Sequence, residues 1–174
     1  MLPPLTAAQC AEAVAEHPVL TARIVLFDVL VMNTDRHRGN LAFRSRKSGA
    51  APFLVMYDHS HAVLGAPGHD PVPSRFKRTD WLGCDGKPQH RQCLLDHLTD
   101  SNALVAAIEA VEGLSDAAIN EAVLMARAHG LAPGDANKAY NALRDRRKHI
   151  RRIVAINRVE FKGIQQWPLE VPDE

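Results

Sequence analysis

Asn33-Thr34-Asp35-Arg36-His37-Arg38-Gly39-Asn40, followed by Leu41-Ala42-Phe43, then Phe53-Leu54-Val55-Met56-Tyr57 and Asp58, is the stretch that decides the fold. Upstream of it, Leu20, Ile24, Phe27 and Val31 recur at helical spacing, so residues 18–32 read as a buried amphipathic helix started by Pro18. Downstream, the two apolar pieces read as short strands. Ser45-Arg46-Lys47-Ser48-Gly49 has turn composition, which makes the pair a hairpin. The unit is therefore helix, polar loop, strand, turn, strand. Asp35 and Asn40 fall on the loop and Asp58 at a strand end, an arrangement able to aim three oxygen-bearing side chains at one point.

The flanks read as helix. Thr6 and Gln9 form a capping box that opens a helix to about Glu16. Leu94 to Leu98 ends a short helix. Asp100 or Ser101 caps one to about Val111, and Ser115 caps another to about His129. Gly130 and Pro133 break the pattern before a last helix from about Asp135 to Phe161. Residues 65–92 are rich in Gly, Pro and charge, and a loop that long belongs to function more often than to idle linkage. The tail, Trp167 to Glu174, carries two prolines and acidic residues and reads as loosely held. Alanine at 25 of 174 residues and aromatics at 5% favour helix over sheet. The fold class is α+β, predominantly α. One domain covers 1–164, with the loop and hairpin at 33–60, the long loop at 65–92 and a helical part at 93–161; residues 165–174 are tail.

A chain of 174 residues is long enough for one domain with a real core. Lys+Arg of 21 against Asp+Glu of 20 gives a formal charge of +1, so no global field marks a nucleic-acid or membrane protein. The longest apolar stretch, Ile24 to Met32, is interrupted by Asp28 and is too short to span a bilayer. The first ten residues lack a basic region followed by an apolar one, so no signal peptide is expected. Three scattered cysteines (Cys10, Cys84 and Cys93) do not make a disulfide framework. Together these features predict a reducing, cytoplasmic setting and no membrane contact.

Phosphoryl transfer from a nucleotide needs the set that residues 33–58 supply. One carboxylate accepts or orients the attacking hydroxyl, while an amide oxygen and a second carboxylate hold Mg²⁺ against the phosphates. Two protein ligands suffice, because phosphates and waters fill the other positions of this hard cation. Kinase catalytic loops space their base and metal-binding Asn as D-x-x-x-x-N and place a metal-binding Asp after a hairpin. Asp35, Asn40 and Asp58 have that layout.

Asn33-Thr34-Asp35-Arg36-His37-x-x-Asn40 with Tyr57-Asp58 resembles the HipA-like kinases, bacterial serine/threonine kinases known as toxins of toxin–antitoxin modules. The D-R-H-x-x-N element is also similar to phosphatidylinositol 3- and 4-kinases. The preceding Asn and the Tyr-Asp in place of Asp-Phe-Gly favour the HipA-like side. The resemblance covers residues 20–64. It implies a kinase C-terminal lobe that transfers the ATP γ-phosphoryl group to a protein Ser or Thr. It makes Asp35 the catalytic base, and Asn40 and Asp58 the Mg²⁺ and nucleotide ligands. The sequence departs from the family upstream. Residues 1–34 hold no glycine-rich phosphate loop and no lysine. An N-terminal lobe is therefore expected from a separate polypeptide, or lost, and an antitoxin is a possible partner.

Blander readings stand beside these. Asp35, Asn40 and Asp58 can serve turn hydrogen bonding. Arg36 can pair with Asp28 or Asp58, and His37 can fix the loop backbone. His59 and His61 suit a loop role beside Asp58 better than a metal pair, because Mg²⁺ prefers oxygen. Cys84, His90, Cys93 and His97 have no standard zinc spacing, and Cys93 reads as a core residue. Ser74 and Thr79, beside Arg75, Lys77 and Arg78, are autophosphorylation candidates by position alone. Arg144, Arg147, Lys148, Arg151 and Arg152 form a stripe on the last helix, opposite Leu143, Ile150 and Val154. It reads first as a solvated face, and second as a contact for an acidic partner or nucleic acid. The stripe defines the rival reading, a catalytically inactive kinase-lobe remnant that binds protein or nucleic acid.

Overall fold

The computed structural model describes residues 3–44, 53–59, 62–63 and 92–170. Two helices, a β-hairpin and three further helices follow in chain order: α1 (Ala7–Glu16), α2 (Pro18–Leu30), β1 (Leu41–Arg44), β2 (Phe53–Met56), α3 (Ser101–Glu112), α4 (Asp116–Ala128) and α5 (Pro133–Ile156). The predominantly helical α+β class holds. Among the described residues no helix is long and apolar enough to cross a membrane. The turn at Ser45–Gly49, residues 64–91, His61 and the end of the tail lie outside the described residues. So do Cys84 and His90, and Ser74 and Thr79 with the basic residues beside them.

Each helix starts where its cap allows. The Thr6 side chain accepts from the Gln9 N–H, and the Gln9 side chain accepts from the Thr6 N–H at 2.9 Å. Asp100 accepts from the N–H groups of Asn102 and Ala103, and Ser115 accepts from Ala118. Pro18 and Pro133 stand in the first turns of α2 and α5, where no N–H partner is needed.

α2 is the central element. It is apolar nearly all round and packs against α1, α3 and α5. Val25 and Leu26 of α2, Leu104 and Ile108 of α3, and Ile150 and Ile153 of α5 are fully buried in one core, with Leu41 and Leu54 of the hairpin. β1 and β2 pair antiparallel with Leu41 opposite Met56 and Arg44 opposite Phe53. A lone two-stranded sheet is marginal, so the burial of Leu41 and Leu54 in the shared core is what holds it. Between α2 and α3 lies an open apolar groove of about 300 Å³, walled by Leu20, Ile24, Phe27, Met56, Val111 and Leu114.

Two boundaries and the packing of the tail differ from the sequence reading. α2 ends at Leu30, two residues early, because Met32 turns into the left-handed region (φ 54°). The Asn33 N–H then reaches the Asp28 carbonyl at 2.9 Å and the Met32 N–H that of Val29, a Schellman ending without glycine. α5 ends at Ile156, not Phe161, because the Asn157 side chain donates to the Ile153 carbonyl at 2.8 Å and one 3-10 turn, Arg158–Glu160, follows. The described part of the tail is docked: Leu169 is buried and the Trp167 ring lies 5.6 Å from that of Phe161.

Candidate functional site

The loop between α2 and β1 is built around one guanidinium. Arg36 is fully buried, and every one of its five N–H donors has an acceptor. Nε and Nη2 grip the two Asp28 oxygens at 3.0 and 3.1 Å, a bidentate pair sealed from solvent. Nη1 donates to the backbone carbonyls of Asn40 (3.0 Å) and Tyr57 (2.6 Å). The remaining Nη2 hydrogen points at His59 Nδ1, 2.7 Å away.

Asp28 is saturated in turn. Besides Arg36, its carboxylate accepts from Asn33 Nδ2 at 2.9 Å and Gln92 Nε2 at 3.2 Å. Four donors meet the four sites a carboxylate offers, which is how a charge survives in an apolar helix. Of the two partners considered for Arg36, Asp28 is the one the structure provides.

This knot fixes the neighbourhood of the three candidate residues. Asn40 is buried, and its Nδ2 donates to the Asp35 backbone carbonyl at 2.8 Å. With its amide nitrogen committed, Oδ1 is the atom Asn40 offers a cation. The Tyr57 N–H donates to the Asn40 carbonyl at 3.2 Å, so Asp58 begins one residue beyond a direct tie to Asn40. Asp58 is solvent-exposed and sits at φ 55°, a conformation Asp tolerates better than most residues. The Asp35 carboxylate is about one-quarter exposed, and its Oδ2 lies 3.8 Å from His37 Nε2. His37 does fix the loop: its Nδ1 accepts from the Gly39 N–H at 2.9 Å, and a Cβ at Gly39 would collide with the folded-back ring.

His59 reaches solvent, yet burial on one side, then the Arg36 charge, pulls its pKa below the ordinary value. The Arg36 hydrogen bond selects the tautomer with the proton on Nε2. The ring stands edge-on to Phe27, with centroids 5.5 Å apart. It is a loop residue that takes part in the knot.

Among the described residues no three His, Cys, Asp or Glu side chains converge on a metal position. The Asn40 amide oxygen and the Asp58 carboxylate are hard oxygen donors. An all-oxygen pair that leaves the other positions to phosphate and water suits Mg²⁺ and not a soft metal. Cys93 packs half-buried against the core. Both Cys93 and Cys10 are free thiols, and hydrogen bonding to the neighbouring Cys10 thiol, more than burial, pushes the Cys93 pKa up.

The basic stripe on α5 is largely tied down. Arg147 pairs with Asp116 at 2.7 Å and donates to the Leu114 carbonyl; Arg151 grips Glu112 through two bonds of 2.9 and 2.7 Å. Arg144 lies over the Tyr140 ring.

No protein-family model, curated protein or solved structure matches the chain. The site therefore rests on its own geometry.

Sequence reasoning named Asp28 as a partner for Arg36 but passed over Gln92, which carried no signal, since 64 residues separate it from the carboxylate it meets.

Proposed function

We propose that this domain is the C-terminal lobe of a HipA-like, ATP- and Mg²⁺-dependent kinase that phosphorylates a protein Ser or Thr hydroxyl. One observation carries the reading: a single buried guanidinium holds the carbonyls of Asn40 and Tyr57, which brings the loop bearing Asp35 and Asn40 against the strand end bearing Asp58. The all-oxygen donor set and the spacing of the three residues support it.

Asn40 and Asp58 are the residues that would hold Mg²⁺, which when bound neutralises phosphate charge and orients the triphosphate. Asp35 orients the acceptor hydroxyl and takes its proton as the oxygen bonds to the γ-phosphorus. The bond to the β-bridging oxygen breaks and ADP leaves. His37, with Nδ1 engaged by Gly39, presents Nε2 to the Asp35 carboxylate at 3.8 Å. The family's phosphate-orienting lysine has no counterpart in residues 1–34.

The test is γ-phosphate labelling of the chain, alone and with its genomic neighbour, in the presence of Mg²⁺. Incorporation is expected to be lost in both Asp35→Ala and Asp58→Ala. Labelling that survives Asp35→Ala removes the assigned base. No labelling, together with no Mg²⁺-dependent shift in melting temperature on adding ATP, leaves the chain as a binding module.

A further inference from the structure

We propose that Asp28 and Arg36 are the positioning residues of the metal–nucleotide site, acting through the backbone carbonyls of Asn40 and Tyr57; the inference rests on the kinase reading above. Neither side chain would touch metal or nucleotide. Arg36 is sealed from solvent, with its donors spent on Asp28, two carbonyls and His59. What it controls is the separation of two peptide groups. One belongs to Asn40 and the other immediately precedes Asp58.

The chemistry of the knot argues for this role over plain stability. A buried ion pair is a poor stabiliser compared with apolar residues of the same volume, and its best-attested use is to specify one geometry. This pair is fully satisfied, so it specifies the geometry tightly. Both carbonyls lie on a single planar nitrogen, which only a guanidinium can arrange while its other nitrogens hold a carboxylate. A lysine offers three donors from one point and cannot reach the same acceptors. Asp28 is in turn oriented by Gln92, whose Oε1 is pinned by the Leu94 N–H at 2.6 Å. Orientation thus passes from Leu94 through Gln92 and Asp28 to Arg36, and from there to the candidate ligands.

The test is Mn²⁺ binding with the β,γ-imido analogue of ATP, followed by the electron paramagnetic resonance signal of free Mn²⁺. It is run on the full chain well below its melting temperature, with circular dichroism to establish folding. Arg36→Lys is expected to weaken binding by about 10–100-fold, the range for residues that orient metal ligands without touching the metal. Gln92→Met, which removes one of four bonds to Asp28, is expected to weaken it by about threefold. A purely structural role would lower the melting temperature and leave the affinity of the folded protein unchanged. A folded Arg36→Lys that binds like wild type overturns the proposal. Should Arg36→Lys not fold, Gln92→Met decides: weaker binding upholds the proposal and wild-type binding overturns it. A wild-type chain that binds no Mn²⁺–nucleotide brings down the kinase reading and this inference with it, an outcome distinct from variants that match a binding wild type.

Discussion

Asp28 occupies a helix position where any apolar residue would pack, and it is tolerated because four donors converge on it. Removing one partner of such a pair leaves a charge stranded in the core, at a cost of about 3–5 kcal/mol. Asp35 and Asp58, in contrast, are half-buried and exposed, respectively. The division between a carboxylate that shapes the loop and carboxylates turned outward is what a site with chemistry of its own requires. His59 sits where the two meet. Its folded-state pKa is depressed, first by burial and then by Arg36. Above its ordinary value both folded and unfolded chains keep it neutral, and its contribution to stability is complete. As the pH falls, the unfolded chain takes up the proton first, so stability is lost as the pH drops through the folded pKa. Melting temperatures at pH 7.5 and 5.5 in metal-free buffer are therefore expected to differ less in His59→Gln than in wild type. An equal difference would show that His59 does not titrate in this way.

Helices α1 and α2 were legible because their signals are local: a capping box in one, Pro18 and apolar spacing in the other. α5 was legible as a helix whose basic stripe lies opposite Leu143, Ile150 and Val154, and Ile150 and Val154 are buried; Ala139, Ala142, Arg146 and Ile153 complete the buried seam. Arg146 belongs to that seam. It is fully buried and donates to the Val29 carbonyl through Nε and Nη2 at 3.1 and 2.6 Å, a cation placed at the C-terminal end of α2. The heptad phase of the apolar residues separates it from its neighbours; charge alone does not. Arg146→Ala is expected to cost about 2–4 kcal/mol, through a cavity and an orphaned carbonyl. Arg151→Ala breaks an exposed pair with Glu112 and is expected to cost less than about 1 kcal/mol. Urea titration of the two variants separates them, and equal costs would refute the division of the helix into a structural and a solvated face.

Across the whole molecule, the sequence carried the helical class and the paired strands, because each depends on neighbours a few positions away. It did not carry the long-range ties. Leu5 reaches the Arg38 carbonyl, Val63 returns to Val31, and the Cys93 N–H meets the Arg36 carbonyl. Each joins segments whose proximity only the finished fold creates. The tail was misjudged for the same reason: Trp167 and Leu169 dock on a core that composition cannot foresee. Those ties all end on or beside the loop around Arg36, and this bears on how the protein opens. Its five acceptors come from a helix, a loop and a strand end, so no part of that loop can detach without stranding a guanidinium. Amide hydrogens at Asn40 and Tyr57 should then exchange with solvent deuterium only when the entire chain unravels, on the same schedule as Val25 and Ile153. Earlier exchange there would mean that the loop breathes on its own.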